Sequence, residues 1–384
     1  MIRLVIAGLL LLLSLLTVFR APTNFFWKVA VAITEFPYIP IFLTLILGIW
    51  GWWATQYKWP LLIAHGIALI LFSLPVIQTY STTANLEKEL ALAFGDTSAP
   101  NQLNSPFSFW SMLTGISEQE VPYQTFTYRE MPDRDLKFDY YPAQSGKKAP
   151  CIVIIHGGSW QQGDSQQLPT LNSYLARKGY HVVSMNYRLA PNYHYPAPVE
   201  DFNEVLAYIN RKAEDWNIDT ANIVLIGRSA GGQIALQAAY TQQLPQIKGV
   251  VSFYAPADMF WGARIVTNKL VLDADKVLSD YIGGSVHDVP EKYDASSAPP
   301  FVGKSTPPTL LIHGQNDAMV AYNHSVRLKR KLDEFHIPNY LLDLPTATHG
   351  CDYNFSGPSG QTSTFAIERF IHAVINQPKS STNQ

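Results

Sequence analysis

At 384 residues the chain is long enough for one large domain plus an appendage, and its 28 Lys+Arg nearly balance its 30 Asp+Glu. That balance excludes a basic nucleic-acid-binding face, and two cysteines exclude a disulfide framework. The charge is unevenly spread: residues 1–80 carry only Arg3, Arg20, Lys28, Lys58 and Glu35, so the ionic groups belong almost wholly to the segment that follows.

Leu4 to Phe19 is nearly all Leu, Ile, Val and Ala. Thr17-Val18-Phe19-Arg20 offers no small-residue cleavage site, which favours an uncleaved anchor over a signal peptide. Ile39 to Ala54 and Pro60 to Thr79 are two further uncharged apolar segments. Tyr38, Trp50, Trp52, Trp53, Tyr57 and Trp59 cluster at their ends, as interfacial aromatic belts do. The pattern predicts a multi-pass membrane anchor over residues 1–80, with three spanning helices near 3–20, 38–55 and 60–79. A buried helical hairpin is the alternative, although helices in water normally show a polar face. Phe25 to Ile33 is interrupted by Lys28 and closed by Glu35 and Pro37, so it reads as an interfacial segment. Basic residues on the two sides balance and the positive-inside rule does not choose an orientation; the reading leans to an extracytoplasmic catalytic domain.

Residues 81–120 read as a connector. Leu86, Leu90 and Phe94 recur at helical spacing, and Phe107, Phe109, Trp110, Met112 and Leu113 make an apolar patch. From Val121 to residue 376 strands and helices alternate. Thr125 to Met131 and Asp135 to Tyr141 predict an antiparallel hairpin around Pro132-Asp133, and buried strands follow at Cys151–Ile155, His181–Asn186, Ile223–Gly227, Gly249–Tyr254, Thr309–His313 and Tyr340–Leu344. Together they predict an α/β class fold with an eight-stranded, mostly parallel sheet. Cys151 opens a strand and Cys351 lies at the opposite sheet edge, about 17 Å away, too far for a disulfide. Residues 256–306 form an insertion suited to a cap, and residues 377–384 read as a disordered tail.

The chemistry centres on Asn222 to Ala238, an apolar β-branched run, then Gly227-Arg228-Ser229-Ala230-Gly231, then a helix-forming run. The glycines flank Ser229 where a sharp strand-to-helix turn leaves no room for Cβ atoms, and the helix beginning at Ala230 aims free N–H groups at whatever bonds to the serine oxygen. A serine hydroxyl needs a base, usually His oriented by a carboxylate. Asp317 hangs from the end of the seventh strand and His349 follows the eighth through Pro345-Thr346-Ala347-Thr348, giving the order Ser, Asp, His. His156-Gly157-Gly158-Ser159-Trp160 follows the third strand. Its glycines let the N–H groups of Gly157 and Gly158 join that of Ala230 around an oxyanion, with His156 and Trp160 supporting the loop.

These motifs resemble the α/β-hydrolase superfamily, specifically the hormone-sensitive-lipase-like and bacterial feruloyl-esterase-like esterases. The resemblance covers roughly residues 120 to 376 and includes Tyr187-Arg188-Leu189-Ala190-Pro191 with Pro196 and Asp201, and His313-Gly314 with Asp317 and Val320. Ser159 stands where a third Gly is more usual and Arg228 where lipase-like members often carry Asp. The resemblance implies a membrane-anchored serine carboxylesterase acting on small-molecule or lipid esters of short to medium acyl length, with Ser229 as nucleophile, His349 as proton shuttle and Asp317 as its orienting acid. No cofactor, metal or nucleic acid is implied. Rival readings are an acyltransferase or deacetylase using the same residues, a peptidase or amidase, and a non-catalytic binding module.

Overall fold

The computed structural model describes residues 1–53, 56–97, 102–116, 119–132 and 134–376. The tail at 377–384, the Asp133 half of the hairpin turn and the end of the second apolar segment at Ala54 lie outside the described residues. Helices α1 (Ile2–Ser14), α2 (Asn24–Glu35), α3 (Tyr38–Trp52) and α4 (Lys58–Thr83) come first, then α5 (Leu86–Phe94) and α6 (Phe109–Thr114). The sheet unit follows: β1 (Gln124–Arg129), β2 (Leu136–Tyr141), β3 (Ala149–Ile155), α7 (Thr170–Arg177), β4 (His181–Met185), α8 (Ala197–Trp216), β5 (Ile218–Arg228), α9 (Ala230–Gln242) and β6 (Ile247–Phe253). An insertion carries α10 (Met259–Gly262), α11 (Ala274–Ile282) and α12 (Pro290–Ala295), before β7 (Thr309–Gly314), α13 (Asn323–Glu334), β8 (Asn339–Leu344) and α14 (Pro358–Asn376).

The eight strands form one sheet in the order β1-β2-β4-β3-β5-β6-β7-β8. β2 pairs antiparallel with β1 and β4, and every other pairing is parallel. Side chains alternate across a strand, so each central strand feeds both faces. Val153, Ile155 and Leu225 enter the core on one side, with α8 and α9. Ile152, Ile154, Val224 and Ile226 enter it on the other, with α5, α7 and α14. Strands buried on both faces are continuous apolar runs, which is why β3 through β7 lack the alternation of β1. The register sets the site: Ile155 lies beside Gly227, Arg228 beside Phe253, Phe253 beside Ile312, and Gly314 beside Leu344. The loops carrying residues 156–160, 229, 317 and 349 therefore leave one edge of the sheet.

The N-terminal region departs from three spanning helices. α1 has 13 residues, extended only by a 3₁₀ turn at Leu15–Thr17, and at 1.5 Å per residue it falls short of a hydrocarbon core about 30 Å thick. α3 has 15 residues and meets α2 at 85°, so this bent pair counts at most as one broken span. Among the described residues only Lys58–Thr83, with 26 residues and a mean hydropathy of 2.2, is long and apolar enough to cross a membrane by itself. α1 and α3 pack along it. The Phe25–Ile33 stretch, expected at an interface, instead docks α2 on the sheet unit. The Glu35 carboxylate accepts hydrogen bonds from Ser359 Oγ (2.8 Å) and Ser359 N (3.3 Å), while its carbonyl accepts from Asn354 Nδ2 (2.7 Å). A buried carboxylate needs such partners, and they lie in the sheet unit.

Candidate active site

Ser229 sits between β5 and α9 with φ 51° and ψ −118°, a conformation that costs a non-glycine residue about 1–3 kcal/mol. The two flanking glycines make it possible. A Cβ on Gly227 would lie 2.3 Å from the Gly231 carbonyl oxygen, and one on Gly231 would lie 2.2 Å from that of Ile155. The turn is further pinned where Ser229 N–H donates to the Phe253 carbonyl of β6 (2.9 Å).

The structure brings Ser229, His349 and Asp317 into one hydrogen-bonded chain. Ser229 Oγ lies 2.9 Å from His349 Nε2, and His349 Nδ1 lies 2.7 Å from Asp317 Oδ2. With the carboxylate as acceptor, Nδ1 carries the proton and Nε2 is free to receive the serine's. Asp317 is buried and held by four donors: Met319 N and Val320 N at 2.8 Å on Oδ1, and His349 with His313 Nε2 (3.2 Å) on Oδ2. Burial alone would raise its pKa, but the charge of His349 and the hydrogen bonds from His313 and His349 outweigh it and hold the group below the usual carboxylate range. It stays ionised wherever the imidazole can work.

On the opposite side of Ser229, residues 156–160 follow β3. Gly158 adopts φ +122°, and a Cβ there would meet the Gln162 carbonyl oxygen at 1.9 Å. The N–H groups of Gly158 and Ala230 donate to no group among the described residues. Gly157 differs from expectation: its N–H donates to Gln167 Oε1 (2.7 Å) and so is already engaged. Its Cα packs against the elbow instead, where an added Cβ would come within 3.3 Å of Ser229 Cβ. His156 is buried, stacks on Tyr187 at 4.3 Å, and donates from Nδ1 to the Gly157 carbonyl (2.6 Å). Burial pushes its pKa down to about 4, so it is neutral. Trp160 stacks on Tyr281 at 4.2 Å and donates from Nε1 to Gln233 (3.1 Å), tying the loop to α9 and the insertion.

Three supports were not anticipated. His313 braces Asp317, a contact legible in hindsight from the four-residue spacing of the two. Arg228 is buried and paired with Asp352, so the residue before the serine is latched to the loop after the histidine. Trp27 of α2 donates from Nε1 to the His349 carbonyl (2.9 Å) from 322 residues away. Ser229, Asp317 and His349 line a cavity of about 300 Å³, at the lower end of the range for small-ligand sites. Its walls include Met259, Val277 and Leu278 from the insertion, Met319 and Val320 from the acid loop, and Arg20, Ala21 and Pro22 from the link between α1 and α2. Among the described residues no group of His, Cys, Asp and Glu is arranged to hold a metal. Both cysteines are free and buried.

The strand order, the parallel crossovers and the strand-to-helix elbow define the chain as an α/β-hydrolase. The BD-FAE family model matches residues 139–332, half of the chain, and the chain belongs to that family. Esterase LipC of Mycobacterium tuberculosis is 26% identical over 242 residues, which cover 59% of this chain and 59% of LipC. The same organism's probable carboxylic ester hydrolase LipM is 22% identical over 386 residues, covering 91% of this chain and 86% of LipM. The match thus spans about three fifths of LipC and a larger share of LipM. Among solved structures, a bacterial heroin esterase superposes with a TM-score of 0.58 at 21% identity over 69% of this chain and 88% of that one. This likeness concerns the fold.

Proposed function

We propose that the protein is a serine carboxylesterase. The observation that carries the reading is the unbroken chain from Ser229 Oγ through His349 to the buried Asp317 carboxylate. Ser229 attacks the ester carbonyl while His349 Nε2 takes its proton; the alcohol leaves with that proton, and water repeats the cycle on the acyl-enzyme. Asp317 fixes the imidazole tautomer and stabilises its charged form. The free N–H groups of Gly158 and Ala230 hold the oxyanion, whereas Gly157 shapes the loop. The esterase names of the relatives support the same chemistry, and the cavity suits short to medium acyl groups. Hydrolysis of 4-nitrophenyl esters of rising chain length by wild type and by Ser229→Ala tests it: turnover by the variant comparable to wild type overturns the assignment.

We further infer that the chain is tethered to a bilayer through Lys58–Thr83. Ile63, Ile67, Ile70 and Ile77 of this helix are exposed, as are Ile39, Phe42 and Ile46 on α3, and no packed protein surface covers them. Lipid would. Partition of the full chain into the detergent phase, lost when residues 1–83 are removed, is the expected result; an unchanged aqueous partition would refute the tether.

A further inference from the structure

The link between α1 and α2 forms part of the cavity wall, and hydrogen bonds hold it there from both sides. Asn316 Nδ2, beside Asp317, donates to the Thr17 carbonyl (3.1 Å), and Asn268 Nδ2 of the insertion donates to that of Pro22 (2.9 Å). Asn24 donates to the carbonyls of Leu270 (2.9 Å) and Val271 (3.1 Å). Arg20 thereby stands, exposed to solvent, on the rim of a cavity lined by both apolar and polar groups. Its Nη2 lies 3.4 Å from the Gln315 carbonyl, and it has no carboxylate partner among the described residues. The other ionisable groups on the cavity do not compete: Asp317 is engaged by His313 and His349, and burial keeps His324 neutral with its pKa pushed down to about 3. Lys269, near in sequence to the insertion's wall, is paired with Asp273 and Asp275. Val266 and Leu270 stand exposed on the loop that Pro22 and Asn24 bind.

A cation on the rim of a cavity attracts an anion more strongly than the same cation in open water, because the protein wall on one side of it screens it less. We propose that Arg20 is a specificity-determining residue that selects amphiphilic esters, with an apolar acyl group seated against Met259, Val277, Leu278 and Val320 and a carboxylate or phosphate seated on the guanidinium. The proposal rests on the esterase reading and names the substrate class of that site. The anionic group belongs either to a soluble ester or to an acidic acyl lipid.

Matched pairs test it with the full chain in detergent: 3-carboxyphenyl butyrate against phenyl butyrate, and monophenyl glutarate against phenyl pentanoate. The expected anionic-to-neutral ratio of kcat/KM in at least one pair is about five- to tenfold, carried by KM. Arg20→Gln brings that ratio near one, Arg20→Lys keeps most of it, and 1 M salt weakens it. Comparing each variant's own ratio removes the leaving-group effect of the carboxylate. Fatty-acid release from phosphatidylglycerol against phosphatidylcholine vesicles, with the same variants, separates the sources: a preference confined to vesicles assigns an acidic lipid, and one confined to the soluble pairs a soluble ester. A ratio of one or less in every arm, or a ratio that Arg20→Gln leaves unmoved, overturns the proposal and leaves Arg20 as an exposed charge in the link between α1 and α2. Calorimetric Kd values for the same pairs, measured on Ser229→Ala with and without Arg20→Gln, test Arg20 without turnover. A failed hydrolase reading is thereby distinguished from a failed Arg20 assignment.

Discussion

The sheet unit and the N-terminal helices solve opposite solvation problems. In β3 through β7 nearly every side chain is buried, and the polar groups that remain inside, such as Asp317, His313 and Arg228, are held by named partners. In α1, α3 and α4 large apolar side chains point outward, and polar atoms such as His65 Nδ1 bond back to their own helix, here to the Leu61 carbonyl (2.7 Å). The first unit hides its apolar side chains from its surroundings, and the second leaves many of its own exposed, which is the feature the proposed tether accounts for. The contrast teaches where the proposed function is written: the sheet unit would supply the reacting groups, and the helical unit their position.

The comparison breaks most easily at Ser229. Ser229→Ala should lower kcat by at least about 10⁴-fold without unfolding the protein, measured by ester turnover beside a thermal melt. Asp317→Asn should follow closely, at about 10⁴-fold, because an amide disturbs the tautomer that the carboxylate enforces. Gly158→Ala should cost about 10²–10³ in kcat, the loss of one oxyanion donor, since its Cβ cannot coexist with the Gln162 carbonyl. Gly157→Ala tests packing against the elbow instead.

Trp27→Phe sharpens the contrast from the other side. It removes one neutral hydrogen bond to the His349 carbonyl, worth about 1 kcal/mol, and should lower kcat about fivefold with KM nearly constant. A loss as large as that of Asp317→Asn would erase the distinction between reacting and positioning regions. Acid tests the sheet unit through its stability instead of its turnover. His156 and His324 are kept neutral by burial, with pKa values near 4 and 3, whereas in the unfolded chain each binds a proton near pH 6.5. The unfolded state therefore holds more protons between those values, and stability falls as pH drops from about 6.5 to 4, by an order of 3 kcal/mol per histidine. Urea midpoints across that range should show it. His324→Asn should flatten the slope, and an unchanged slope would falsify the assignment.

What was legible in the sequence was local or ordered along the sheet. The elbow could be read because its glycines, serine and helix are contiguous, and Asp317 and His349 because strand order dictates which loops share an edge. Gln167 capturing the Gly157 N–H was not legible, since it depends on how a loop ten residues long folds back. The helical unit misled for a related reason. Hydropathy reports what a segment avoids but not what it packs on, so α2 read as interfacial although Trp27 and Glu35 find their partners more than 300 residues away. Helix length was the other missing quantity. A composition that suits a bilayer did not foretell the 3₁₀ turn after Ser14 or the 85° bend before Tyr38.

The Trp27 bond to the loop of His349, together with the Thr17 and Pro22 contacts, has a consequence for a sheet unit cut free of the first helices. A protease cutting between α4 and β1 would release a fragment holding every reacting group, yet leave behind the indole that steadies the histidine loop and the wall that bears Arg20. Shedding would therefore not free an unchanged activity: the released unit would turn over more slowly and choose its esters differently from the chain that keeps its first helices.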